Sequence, residues 1–171
     1  MNLRQTVLRE HSKANCTVIV NWVGTNQQRF DELFRLFLHD EYRVVQRAAW
    51  PISKLVRLYP TLIKKHLSKL LRYVKQPGLH PSVKRNTVRL LQDISIPGKY
   101  HGDIMTMCFD YILSPDEKPA VKAFSLTILE NLSKIYPDIK QELKTVILDR
   151  WDFETAAFHS RAKKILENSA R

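Results

Sequence analysis

A period of 38 residues in the apolar positions constrains the fold of this 171-residue chain more than any other feature. Two sets of positions recur at this step: Val45, Val83 and Val121, and Ile52, Leu90, Ile128 and Leu166. The second half of each unit drifts by one residue, since Tyr59-Pro60 recurs 77 positions later as Tyr136-Pro137. A repeat of about 20 to 50 residues with helical units is typical of a solenoid, in which each unit packs on its neighbours.

The apolar spacing inside each unit is that of an amphipathic helix. In the run from Phe30 to Leu38 it follows the pattern i, i+3, i+4, i+7, i+8. Gly24 is placed to end one helix, and Asn26 and Asp40 are placed to cap the next two. No segment alternates with a period of two, so we predict an all-α fold. We expect about nine helices, at residues 3–23, 27–39, 41–58, 61–76, 81–96, 101–113, 117–135, 138–150 and 155–168.

These helices predict one domain over residues 1–171, arranged as an α-α superhelix of about four helix pairs. The predicted units are 3–40, 41–78, 79–115 and 116–152, followed by a capping helix at 155–168. The two cysteines, Cys16 and Cys108, lie far apart and outside any C-x-x-C motif, which favours buried free thiols in a reducing compartment. The N-terminal residues lack the apolar core of a secretory signal, so we expect a cytoplasmic protein without a membrane span.

Three segments resemble the first helices of HEAT-like (armadillo-type) repeats: VQRAAWPISKLV, VKRNTVRLLQDI and VKAFSLTILENL. The first contains Pro51, at the place where many such helices bend, whereas Arg89 and Thr127 stand there in the next two. The resemblance covers nearly the whole chain. It implies helix pairs stacked into a superhelix, and a protein that binds macromolecules rather than one that catalyses a reaction.

Basic charge is concentrated between Tyr42 and Gln92, where 12 Lys and Arg occur without any Asp or Glu. The rest of the chain has 16 basic and 17 acidic residues, so the net charge of +11 arises in this window. Solvated helices usually mix Glu with Lys, because such pairs stabilise a helix. An uncompensated window therefore favours an anionic partner over an incidental basic face on a protein–protein scaffold.

Nucleic acid is the favoured partner, because rows of Arg and Lys suit phosphate contacts. An acidic protein and phospholipid headgroups are the alternatives. The predicted anion-binding residues, expected to share one contiguous surface, are Arg43, Arg47, Trp50, Lys54, Arg57, Lys65, Lys69, Arg72, Arg85 and Arg89. Reversing the charge of Arg47 and Lys69 is expected to weaken binding and to leave stability almost unchanged. For Trp50 two interpretations stand: stacking on a base, or packing in the seam with the preceding helices, which its size favours.

No catalytic motif, metal-ligand spacing or cofactor signature is present in the sequence, which favours a non-enzymatic protein. Among the six histidines, His66 lies on an apolar helical face and is expected to be a hydrogen-bonded core residue. One enzyme family resembles this architecture, the HEAT-like DNA glycosylases that remove alkylated bases. The resemblance implies an Asp beside aromatic residues in a concave groove, for which Asp93 and Asp152 are the candidates without a matching motif.

Overall fold

The computed structural model describes residues 1–79 and 81–169, with Ser169 described by its backbone alone, so His80 lies outside the described residues. All regular structure in these residues is helical, and the all-α prediction is confirmed. The α-helices are α1 (Leu3–Arg9), α2 (Lys13–Val23), α3 (Gln27–His39), α4 (Tyr42–Leu58), α5 (Leu67–Val74), α6 (Pro81–Leu91), α7 (His101–Leu113), α8 (Pro119–Ser133), α9 (Asp138–Arg150) and α10 (Ala156–Ser169). Short 3₁₀ helices cover Pro60–His66, Gly98–Tyr100 and Trp151–Phe153.

The prediction of one continuous helix over residues 3–23 is wrong, because two helices, α1 and α2, cover this range. Glu10 is extended, and the Ser12 hydroxyl accepts a hydrogen bond from the Asn15 backbone N–H, which starts α2. The buried side-chain amide of Asn15 donates to the carbonyls of Thr6 and Glu10. These bonds satisfy carbonyl groups that the end of α1 leaves without helical partners.

The start of α3 has a side-chain cap and the start of α4 has none, so one of the two predicted caps is confirmed. The side-chain Oδ1 of Asn26 accepts a hydrogen bond from the Arg29 backbone N–H at the start of α3, and Gly24 ends α2 at a φ of 50°. The prediction that Asp40 caps α4 was wrong, because Glu41 is the N-cap residue. The Asp40 carboxylate instead accepts two hydrogen bonds of 2.9 Å from the Arg4 guanidinium.

The described residues divide into two compact units, Met1–Ser95 and a second that begins at Ile96. In the first unit α4 is central and packs on α1, α2, α3 and α6. In the second unit α8 packs on α7, α9 and α10. The division falls inside the predicted repeat 79–115, and the predicted repeat boundaries stay a prediction.

The 38-residue period reappears in the burial of side chains. Val45, Val83 and Val121 are buried, as are Ile52, Leu90 and Ile128 at the second recurring position. Three phenylalanines of α3, Phe30, Phe34 and Phe37, are at most 1% exposed and fill the core of the first unit. The recurring apolar positions are therefore the ones that hold the helices together, as the hydrophobic effect requires.

Polar side chains follow a similar spacing, since many connect residues that lie about one repeat apart within a unit. Arg4 binds Asp40 and Arg57 binds Asp93, each pair separated by 36 positions. In the second unit the His101 ring bonds to the Tyr136 hydroxyl, 35 positions away. Each of these bonds joins a helical residue to a residue of a connecting segment about one repeat later.

Candidate anion-binding surface

The whole net charge of the protein lies in the first unit. Residues 1–95 contain 17 Lys and Arg against 6 Asp and Glu, a net charge of +11. Residues 96–171 contain 11 of each, and are neutral. An anionic partner attracted by charge is therefore attracted to the first unit.

Four cations lie along α4, and two of them bind other parts of the protein. We call Arg43, Arg47, Lys54 and Arg57 the α4 row. The Arg47 guanidinium donates to the Leu8 carbonyl at the end of α1. Arg57 donates to the Asp93 carboxylate at 2.6 and 2.9 Å, an ion pair with an acid outside the basic window. Arg43 is exposed and has no partner among the described residues.

Trp50 is packed in the middle of the α4 row. It is half-buried, and its ring centre lies 5.4 Å from that of His11, in the segment between α1 and α2. The Lys54 ammonium lies 6.0 Å from the Trp50 ring centre, at the edge of cation–π range. This is the seam with the preceding helices in which the packing interpretation places Trp50, and stacking on a base would require it to leave these contacts.

The cations of the second basic group lie along α3 rather than along α1 and α2. We call Lys64, Lys65, Lys69 and Arg72 the α5 row; they extend from the 3₁₀ helix Pro60–His66 into α5, and all four are exposed. Lys65 forms an ion pair with Asp31 of α3. The other three have no partner among the described residues. The α5 row therefore has more uncommitted charge than the α4 row.

Asp31 and His66 form the polar contact between α3 and the 3₁₀ helix. His66 is 14% exposed, its Nε2 lies 2.6 Å from an Asp31 oxygen, and its ring lies 4.3 Å from that of Phe34. Burial raises the pKa of Asp31, but hydrogen bonds from Lys65, Gln27 and His66 together bring it below its usual value. Burial lowers the pKa of His66 although the neighbouring Asp31 raises it. His66 is thus hydrogen-bonded, as the sequence predicts, but it is half-buried beside the core phenylalanines and not a fully buried core residue.

Arg85 and Arg89 of α6 complete the predicted set. Arg85 is half-buried, Arg89 is exposed, and α6 packs on both α4 and α5. The predicted cations thus lie on α4, on the 3₁₀ helix and α5, and on α6, and a single contiguous surface shared by all of them stays a prediction. The structure leaves Trp50 and Arg47 engaged in packing and hydrogen bonding.

Arg35 of α3 is a cation of this surface that the sequence analysis missed. It is exposed and has no partner among the described residues. It lies outside the acid-free window and follows Asp31 and Glu32 along the chain, so its surroundings look neutral in sequence. The available signal was helical spacing, because Arg35 lies one turn from Asp31, which pairs with the α5 row.

The two aspartates considered for glycosylase chemistry have ordinary surroundings. Asp93 is held by Arg57 in an ion pair. Asp152 is exposed in the 3₁₀ helix of the second unit, next to Trp151, whose ring stacks on His159 at 4.4 Å. Within the described residues no group of three or more His, Cys, Asp or Glu is arranged to hold a metal ion, and no helix has the length and apolarity needed to cross a membrane.

Comparison with known families agrees with the helical repeat. The family model of the HEAT repeat domain matches residues 3–169. The chain belongs to the HEAT-repeat family. A search of curated proteins and a search of solved structures give no significant match. This HEAT-repeat protein is therefore a helical repeat module of a kind that mediates binding, and the identity of its partner has to be inferred from its own surface.

Proposed function

We propose that this HEAT-repeat protein is a non-enzymatic binding module whose first unit binds nucleic acid through the phosphate backbone. The observation that carries the proposal is the positive charge that the ion pairs of the described residues leave without a partner. Asp31 and Asp93 pair with only two of the predicted cations, Lys65 and Arg57. Exposed cations without a partner among the described residues remain on α3, α4, the 3₁₀ helix Pro60–His66, α5 and α6, and they include Arg35, Arg43, Lys64, Lys69, Arg72 and Arg89.

The polarity around the α5 row favours nucleic acid over an acidic protein. Stable protein–protein interfaces have an apolar, often aromatic core surrounded by a polar rim. Between residues 60 and 79 no large apolar side chain of the described residues is exposed. Phosphate contacts need no such core, because Lys and Arg neutralise phosphates and release the condensed counterions.

A gel-shift titration at low salt with duplex and single-stranded DNA and RNA probes tests the proposal. We expect retarded complexes with at least one probe class, without dependence on base sequence. If none of the probes binds at the lowest salt concentration, nucleic acid is not the partner. An acidic protein would then be the better hypothesis.

The enzymatic alternative is tested in a separate assay, in which alkylated DNA is incubated with the protein and released bases are measured. We expect no release, because Asp93 is held by Arg57 and no catalytic motif surrounds Asp152. Release that disappears in Asp93→Asn or Asp152→Asn would show that the protein is a glycosylase.

A further inference from the structure

We propose that Arg35 of α3 and Lys69 of α5 form a two-residue clamp for a backbone phosphate of nucleic acid. The inference deepens the proposed function and rests on it, since it names the residues of the first unit that hold the phosphate. We call this pair the α3–α5 clamp. Arg35 was not among the residues predicted from the sequence.

The register of the two helical segments places these side chains opposite each other. Asp31 of α3 pairs with Lys65, 34 positions later. Two turns farther along α3, the His39 ring meets the Tyr73 ring edge-on at 5.6 Å, again at a separation of 34. Arg35 lies one turn from both Asp31 and His39, and Lys69 occupies the same position between Lys65 and Tyr73. The same offset of 34 therefore brings Arg35 and Lys69 into apposition.

The electrostatic surroundings of Lys69 agree with this placement. Burial lowers the pKa of His39 of α3, and the nearby Lys69 charge lowers it further. Lys69 therefore lies on the side of α5 that faces α3.

Among the described residues no acid forms an ion pair with either residue of the α3–α5 clamp. Asp31, one turn before Arg35, already accepts hydrogen bonds from Gln27, Lys65 and His66. Glu32 is half-buried and makes no ion pair among the described residues. Two opposed cations without an acid between them repel each other, and a bound anion removes that repulsion.

The chemistry of the two side chains suits a phosphodiester. The planar Arg35 guanidinium can donate two parallel hydrogen bonds to phosphate oxygens, and the Lys69 ammonium adds a compact positive charge. Lys64 and Arg72 extend the positive charge along the same segment. The nearby aromatic ring of Tyr73 is half-buried, and its hydroxyl donates to the Leu38 carbonyl. Recognition therefore relies on the backbone and not on base stacking, which single-strand binders generally use.

Fluorescence anisotropy with a short labelled duplex DNA and a labelled oligo-dT tests the clamp in the full chain. The test variant is Arg35→Glu/Lys69→Glu. One control with the same charge change is Arg43→Glu/Arg89→Glu in the first unit, and the other is Lys140→Glu/Lys144→Glu in the second unit, all at exposed positions. We expect the clamp variant to weaken duplex binding about tenfold more than either control, and Arg35→Lys/Lys69→Arg to retain most of the affinity.

The outcomes separate the clamp from the proposed function. If the unmodified protein binds neither probe, the proposed function fails. If it binds and Arg43→Glu/Arg89→Glu weakens binding as much as the clamp variant, nucleic acid binding stands and the clamp is wrong. Circular dichroism melting verifies that each variant is folded. The neutral variant Arg35→Gln/Lys69→Gln replaces the charge reversal if the latter does not fold, and an affinity equal to that of the unmodified protein would then contradict the clamp.

Discussion

Arg47 and Lys69 look alike in the sequence, and the sequence predicts the same small effect of both on stability. The structure separates them. The Arg47 guanidinium donates to the Leu8 carbonyl and is half-buried, whereas Lys69 is exposed and has no partner among the described residues. The amino-acid sequence shows the charge of a side chain but not the backbone group to which it donates a hydrogen bond.

Replacing Arg47 by Ala is expected to lower the free energy of unfolding by about 1 to 3 kcal/mol. The change removes a charged hydrogen bond and leaves the Leu8 carbonyl without this donor. Lys69→Ala, the matched control on the exposed surface, is expected to change it by about 0.5 kcal/mol or less. Urea denaturation followed by circular dichroism measures both values. Equal effects of the two substitutions would contradict the distinction between the rows.

The lowered pKa of His66 makes the stability of the protein depend on pH. The pKa of His66 in the folded protein is lowered by burial, so the unfolded chain binds this proton more readily than the folded one. The free energy of unfolding should therefore fall as the pH drops below about 6.5, the ordinary pKa of histidine. His39, whose pKa is lowered too, acts in the same direction.

Urea denaturation between pH 7.5 and 5 checks this, with His66→Gln as the variant that removes the titrating ring. We expect the stability of His66→Gln to depend less steeply on pH than that of the unmodified protein. A free energy of unfolding that rises as the pH falls through this range would show that the assigned direction is wrong.

At the scale of the element, the sequence predicts helices well and their interruptions poorly. Helices such as α3 and α7 follow from apolar spacing, and their observed bounds equal the predicted ones. The interruption between α1 and α2 depends on Ser12, on the buried amide of Asn15 and on Arg47 from α4. The segment that begins at Pro60 starts as a 3₁₀ helix, and the spacing of its apolar residues in the sequence does not reveal this.

The same limit explains why Arg35 was missed. Charge counted along the chain places it beside Asp31 and Glu32, but hydrogen bonds across helices show that Asp31 is already committed to the α5 row. An acid can pair with a cation that lies one repeat away in the sequence, and such a pair can be predicted only when the register between the helices is known.

Lys122 of α8 and Glu154 form a buried ion pair, and we expect its loss to destabilise the protein strongly. Both side chains are 4% exposed and their charged atoms are 2.6 Å apart, and Arg150 also donates to Glu154 at 2.9 Å. Glu154→Ala should lower the free energy of unfolding by about 3 to 5 kcal/mol, because it leaves the Lys122 charge buried without its partner.

Thermal and urea unfolding of the full chain measure the effect. The control is Lys122→Met/Glu154→Leu, which removes both buried charges and is expected to be much less destabilising than Glu154→Ala. If the double variant is as unstable as the single one, the cost arises from lost packing and not from an uncompensated charge.

At the scale of the whole molecule, the net charge divides in the same way as the compact units. The first unit carries +11 and the second is neutral, although the same repeat pattern builds both. The repeat pattern therefore does not require the basic surface, which supports the proposed binding function of the first unit. HEAT-repeat membership accounts for the fold and for a role in binding, and the charge distribution carries the argument for nucleic acid.

The claim that the first unit binds nucleic acid through phosphate contacts is tested by the salt dependence of duplex DNA binding, measured by fluorescence anisotropy with the full chain. If the α3–α5 clamp holds one phosphate and Lys64 and Arg72 neutralise one each, roughly three phosphates are neutralised, and a plot of log K against log salt concentration should have a slope of about −3. Substitutions in the second unit such as Lys140→Glu/Lys144→Glu should leave that slope unchanged. Absence of binding at low salt, or an affinity that does not change with salt, would contradict phosphate binding by the first unit.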